Sequence, residues 1–157
     1  MIANTLLAAT RIVKSSVPSN LIVTWANDTT TLNNIFEMRY NAMVRNNPSS
    51  PSYSNIDHGN SMYDDLDFSA HTKHISVIRD GRVISAARFV NGKYDAVEAE
   101  SCNWYNVRGH HPEIGTNFME PSRLAIDPKY RGSYLLPLMS SHALCMAAEE
   151  NVDGFMF

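Results

Sequence analysis

Two β-prone runs on either side of Asp80-Gly81 constrain this chain more than any other feature. Lys73 to Arg79 and Arg82 to Val90 flank that dipeptide. Asp-Gly suits a two-residue turn with positive φ, whose twist matches that of paired strands. Alternation along the second run sets Ile84, Ala86, Arg88 and Val90 on one face.

Other elements flank this hairpin in the sequence. Leu21 to Ala26 reads as a strand closed by Asn27-Asp28, and Asp28, Thr29 or Thr30 can cap a following helix. That helix has an apolar stripe of Leu32, Ile35, Phe36 and Met43. Asn46 to Asn60, punctuated by Asn-Pro, Ser-Pro and Gly, reads as a long loop of the kind that is usually functional or mobile. Asn91 to Asn117 has no clear period. Met119 to Ile126 reads as a strand stopped by Asp127-Pro128. From about Tyr134 to Glu150 a helix is expected to bury Leu135, Leu136, Met139, Ala143, Met146 and Ala147, with Pro137 tolerated near its first turn. Gly154 to Phe157 opens a further strand. The order β, helix, loop, β-hairpin, β, helix, β implies an α/β or α+β sheet with helices against it. The length, 157 residues, fits a single domain, with residues 1–20 a helical or variable N-terminal segment and 46–60 the loop.

Composition removes several classes of function. Thirteen Lys and Arg against sixteen Asp and Glu give a net charge of −3, without the basic footprint of a general nucleic-acid binder. No run approaches the roughly 18–20 apolar residues of a membrane span. The patch Leu6 to Ala9 lacks the preceding basic residues of a secretory signal. The two cysteines, Cys102 and Cys145, read as reduced thiols of a cytoplasmic protein, with Cys145 a buried hydrophobe of the second helix. His110-His111 lacks metal-ligand spacing, His71 and His74 read as surface residues, and no metal site is expected. Trp25 and Trp104 have no basic patch for stacking on bases, and no G-x-S-x-G nucleophile elbow is present.

Three places break the pattern. Arg39 and Arg88 occupy apolar positions, where an unpaired charge is costly. Each needs a carboxylate (Asp64, Asp65, Asp67 or Glu120) or an anionic ligand. In Met119 to Ile126, Pro121 removes a ladder donor, which places it at an edge or a bulge. Glu120 and Arg123 are three apart and would point to opposite faces of a regular strand. A bulge at Pro121 or Ser122 would bring them to one side and expose backbone N–H groups; the alternative is an edge strand with surface charges. Finally, Arg131-Gly132-Ser133 enters a helix, where free N–H groups favour phosphate, or it simply caps that helix.

Taken together, Glu37-Met-Arg-Tyr40, Tyr63-Asp64, Gly81-Arg-Val-Ile-Ser-Ala-Ala-Arg88 and Glu120-Pro-Ser-Arg123 resemble the acyl-carrier-dependent branch of the GNAT acyltransferase superfamily. That branch holds the acyl-homoserine-lactone synthases and the N-acyl amino acid synthases. Ser122 to Arg131 is most similar to the latter. The resemblance implies a mixed, mostly antiparallel sheet flanked by helices and splayed between its fourth and fifth strands, with the acyl-pantetheine arm in the cleft. Pro121 is compatible with that splay. Family positions fall on Arg39, Asp64, Arg88, Glu120 and Arg123. Met43 stands where lactone synthases usually carry an aromatic, and Ser61 where they carry a second acid. Arg131-Gly-Ser-Tyr134 departs from the superfamily's glycine-rich CoA loop, which favours a carrier-protein donor. The family normally continues past the fifth strand, so the C-terminal strands are expected to be missing.

The implied reaction is N-acylation of a small amine, such as an amino acid, by an acyl-phosphopantetheine thioester on an acyl carrier protein or on CoA, with no permanently bound cofactor. Glu120 is the candidate base, and N–H groups at Arg123 to Ala125 the oxyanion donors. Arg39, Asp64 and Arg88 would organise the loop over the cleft or bind the acceptor's carboxylate, with Ser122 also in the substrate site; Arg131, Gly132 and Ser133 would hold the phosphate. A CoA-dependent acetyltransferase and a non-catalytic binding module are the competing readings.

Overall fold

A computed structural model describes residues 20–46, 58–93 and 117–155. Most of the expected N-terminal segment, most of the 46–60 loop, and Cys102, Trp104, His110 and His111 lie outside the described residues, as does any strand beyond Phe155.

Strands β1 (Leu21–Trp25), β2 (Thr72–Arg79), β3 (Arg82–Lys93), β4 (Asn117–Ile126) and β5 (Gly154–Phe155) form one sheet in that order. Successive pairs are antiparallel except β4 with β5, which run parallel at Phe118↔Gly154 and Met119↔Phe155. Asp80 and Gly81 take φ of 50° and 75°, the positive-φ turn that Asp-Gly dictates.

Helix α1 (Thr29–Arg39) starts at Asp28, whose Oδ1 accepts from the Thr31 N–H at 2.8 Å. At Tyr40–Arg45 the helix continues as a π-helical turn. Bonding to i+5 there shifts the buried stripe, so Ala42 is buried and Met43 only half-buried. Ile35, Phe36, Met38 and Ala42 pack on Val83, Ala86 and Ala125 of the sheet. Helix α2 (Leu135–Glu149) covers the opposite face, where Leu135, Leu138, Met139, Ala143 and Met146 meet Ile75, Val77, Ala87, Phe89 and Met119. Burying such a side chain is worth about 1.5–3 kcal/mol.

Three expectations need correction. Leu138, not Leu136, is buried on α2, and Leu136 is 47% exposed beside a cavity. Cys145 is only partly buried. Ile84 leaves the face of Ala86, Arg88 and Val90, because β2 pairs Val77 with Ser85 but Ile78 with Val83. The bulge turns Ile84 toward the α2 core.

Candidate active site

The α1 face of the sheet is charged where the elements converge. In the register, His74 opposes Arg88, Arg88 opposes Ser122, and Val90 opposes Glu120. Opposed residues share a face, so Arg88, Ser122 and Glu120 stand together. Arg39 arrives from the last turn of α1.

Both buried arginines find carboxylates supplied by one short 3₁₀ turn, Asp65–Phe68. Asp64 caps it: Asp64 Oδ1 accepts from the Asp67 N–H at 3.2 Å, and Asp67 Oδ2 accepts from the Asp64 N–H at 2.9 Å. Each carboxylate keeps an oxygen for an arginine. Arg39 Nη1 donates to Asp67 Oδ1 at 2.7 Å, and the Arg39 side chain is 0% exposed. Arg88 Nη1 donates to Asp64 Oδ1 at 2.6 Å, while Arg88 Nε donates to Ser122 Oγ at 2.9 Å. Asp65 is exposed and takes neither arginine.

The strand anomaly is resolved by a bulge at Arg123 and Leu124, just beyond the expected Pro121 or Ser122. Between Ala86↔Ala125 and Arg88↔Ser122, Arg123 and Leu124 oppose Ala87 alone. Arg123 adopts φ of 51°, a conformation uncommon for a non-glycine residue. The extra residue sends the Arg123 guanidinium to the Arg88 side, where Nη2 donates to Asp64 Oδ2 at 2.9 Å. Glu120 is 6% exposed on that same face.

His74, expected at the surface, is instead 3% exposed and central. Its Nδ1 lies 2.9 Å from Arg39 Nη2, and its Nε2 lies 3.0 Å from the Asp67 backbone oxygen. Burial, reinforced by the Arg39 charge, pulls its pKa down to about 4, so the ring is neutral at pH 7. The Asp64 carboxyl is pushed up by burial, but Arg88 and Arg123 outweigh that and hold it below its ordinary value. The capping-box spacing of Asp64 and Asp67 is a readable signal for the acid pair; none marks His74.

Arg131, Gly132 and Ser133 stand at the entrance to α2, and Arg131 shares a depression with Leu124 and Ala125 of β4. Arg131 Nη2 donates to the Ala42 carbonyl at 3.0 Å. Gly132 takes φ of 76°, and Ser133 Oγ accepts from the Leu135 N–H at 3.4 Å. The network also adjoins an apolar cavity of about 300 Å³ between β4 and α2, bordered by Pro121, Ser122, Leu124, Met139, Ala143 and Phe155. Ser122 belongs to both. Among the described residues no group of three or more His, Cys, Asp or Glu could hold a metal ion, and no helix is long and apolar enough to cross a membrane.

Comparison with known proteins identifies the fold and the family. The family model described as N-acyl amino acid synthase FeeM matches residues 34–156. No curated protein matches in sequence. The solved structure of FeeM, an N-acyl amino acid synthase from uncultured soil microbes, superposes with a TM-score of 0.61 at 8% identity, over 84% of this chain and 67% of that one. An acyl-CoA N-acyltransferase from Pseudomonas aeruginosa gives 0.57 at 19% identity, over 82% and 71%. The AHL synthase LasI gives 0.57 at 16% identity, over 85% and 68%. These likenesses establish the GNAT fold, and the sequence match establishes the family: the chain belongs to the N-acyl amino acid synthases of the FeeM type, and is a GNAT-type acyltransferase.

Proposed function

We propose that the chain moves a fatty acyl group from the phosphopantetheine thioester of an acyl carrier protein to the amine of an amino acid or related metabolite. The observation that carries this is the position of the β4 bulge. It borders the buried charge network through Ser122 and Arg123, and the apolar cavity through Ser122 and Leu124. An acyl chain would lie in the cavity, with its thioester carbonyl at the bulge.

The amine nitrogen attacks that carbonyl. Glu120, directly or through a water, takes the amine proton, and N–H groups at Arg123 to Ala125 stabilise the oxyanion. Collapse forms the C–N bond and breaks the C–S bond, and the proton passes from Glu120 to the departing thiolate. Arg39, held by Asp67 and His74, positions the wall and is not available for an acceptor carboxylate. Asp64 and Arg88 hold the bulge to the 3₁₀ turn. Arg131, Gly132 and Ser133 would grip the pantetheine phosphate.

Mass spectrometry of lipids from cells expressing the chain tests this reading, alongside thiol release from acyl-carrier protein and acyl-CoA in vitro. A new N-acyl amino acid, with release from the carrier thioester, is expected. Consumption of acetyl-CoA alone, or tight acyl-ligand binding without turnover, would overturn it.

A further inference from the structure

We infer that Phe89 limits the length of the acyl chain, and that the chain this site takes is of medium length, about ten carbons. This rests on the acyl-transfer reading above and gives its donor a substrate class.

Strands β3, β4 and β5 and helix α2 bound the apolar cavity. β5 closes one end, where Met119 pairs with Phe155. Leu124, Leu136 and Leu144 are exposed along the solvent side. Ala87, Phe89, Met139 and Ala143 are buried and form the inner wall. Along β3 that wall changes size. Ala87 opposes the bulge and is small; Phe89, two residues and about 7 Å further along the strand, presents a ring. An acyl chain whose carbonyl sits at the bulge therefore passes Ala87 first and meets Phe89 next.

The ring is held in place. Its centroid lies 5.9 Å from that of Trp25 at an interplanar angle of 73°, an edge-on pair, and Pro121 opposes it on β4. Displacing it would break the aromatic pair and press into a close-packed core. Core packing does not account for the space in front of it. Interiors of this density leave few voids, yet Ala87 and Ala143 border the cavity where larger aliphatic side chains would fill it. Two measures set its capacity. The lining residues of α2 run from Leu136 to Leu144, about 12 Å of helix. The volume holds about ten water-sized groups at about 30 Å³ each, and a methylene is close to that size. Both describe one chain of medium length.

The test measures binding of saturated acyl-pantetheines of graded length to the full chain by calorimetry. Transfer from the matching acyl-carrier thioesters to a mixture of amino acids is followed in parallel by mass spectrometry. Wild-type affinity should rise about fourfold per methylene up to about ten carbons and then stop rising. Phe89→Leu should raise affinity for the first chain past that limit by about fourfold and leave shorter chains unchanged. Phe89→Met, which keeps the apolar volume on a flexible stem, should shift the limit the same way and covers the case in which the leucine variant fails to fold. Ile75→Val, in the same core but not on the cavity, should lower stability without moving the limit. A limit that stays put in both Phe89 variants, or wild-type affinity that climbs through the longest chains, would overturn the assignment. Length-limited binding that moves with Phe89 but yields no N-acyl product would sustain the limit and sink the transfer reading instead.

Discussion

Arg123 and Asp64, 59 positions apart, meet at 2.9 Å, and they do so because Arg123 occupies the extra position of a β-bulge. Asp64 gives its other oxygen to Arg88 at 2.6 Å, so one carboxylate ties β3, β4 and the 3₁₀ turn together.

Asp64→Asn leaves Arg88 buried with Ser122 and with Asp67, whose Oδ1 is 3.5 Å from Arg88 Nη1, as its remaining polar neighbours among the contacts above. Weakening one charged hydrogen bond of a buried arginine that keeps its other partners costs about 1.5–3 kcal/mol. Chemical denaturation should record a loss of that order, with Asp64→Glu recovering part of it. An unchanged midpoint would mean the carboxylate does not hold the bulge.

Arg123→Ala and Arg123→Gly both delete the ion pair, but only glycine is at ease at φ of 51°. The glycine variant should be the more stable by about 1 kcal/mol. Equal stabilities would show that the positive φ carries no strain.

His74 has a folded pKa of about 4 against an ordinary value of 6.5. Between those values the unfolded chain binds a proton that the folded chain refuses. Stability is therefore full above pH 6.5 and falls as pH drops toward 4, by at most about 1.4 kcal/mol per pH unit. Asp64, whose carboxyl is depressed from 3.8, loses its contribution only below that value. Unfolding curves across this range should show the upper segment flatten in His74→Asn while the lower segment persists.

Glu120→Gln keeps the shape of the side chain but cannot accept the amine proton. Single-turnover acyl transfer should slow by about 10²-fold or more, with thioester binding retained. A rate equal to wild type would remove Glu120 from the reaction.

Ala143→Met projects into the cavity shared with Leu124 and Met139. The longest accepted acyl chains should lose affinity by about fourfold for each methylene displaced, from about 0.8 kcal/mol per CH₂, while short chains are unaffected. A uniform loss across chain lengths would place the acyl group elsewhere.

Much of this molecule was legible in residue order. Asp80-Gly81 specified its hairpin, Asp28 its helix cap, and the arginines at apolar positions announced a charged site because burying them unpaired is prohibitive. The three-residue offset of Asp64 and Asp67 marked a capping box, but spacing did not show that these acids, and not Asp65 or Glu120, would take the arginines. That choice depended on how a 3₁₀ turn rotates successive acids, and that rotation sent Asp65 to solvent.

Two single-residue bulges decided the rest. Counting back from a two-residue turn pairs His74 with Ala87, on the face away from Arg88. The bulge at Ile84 slips the register by one and sets His74 opposite Arg88. The bulge at Arg123 and Leu124 likewise turns Arg123 toward Asp64. Side chains in a strand alternate with a period of two, so one inserted residue inverts every face beyond it. Local preference sets where strands run. Which residues meet across them was settled by packing two helices on a sheet that had to bury, and pair, its own charges.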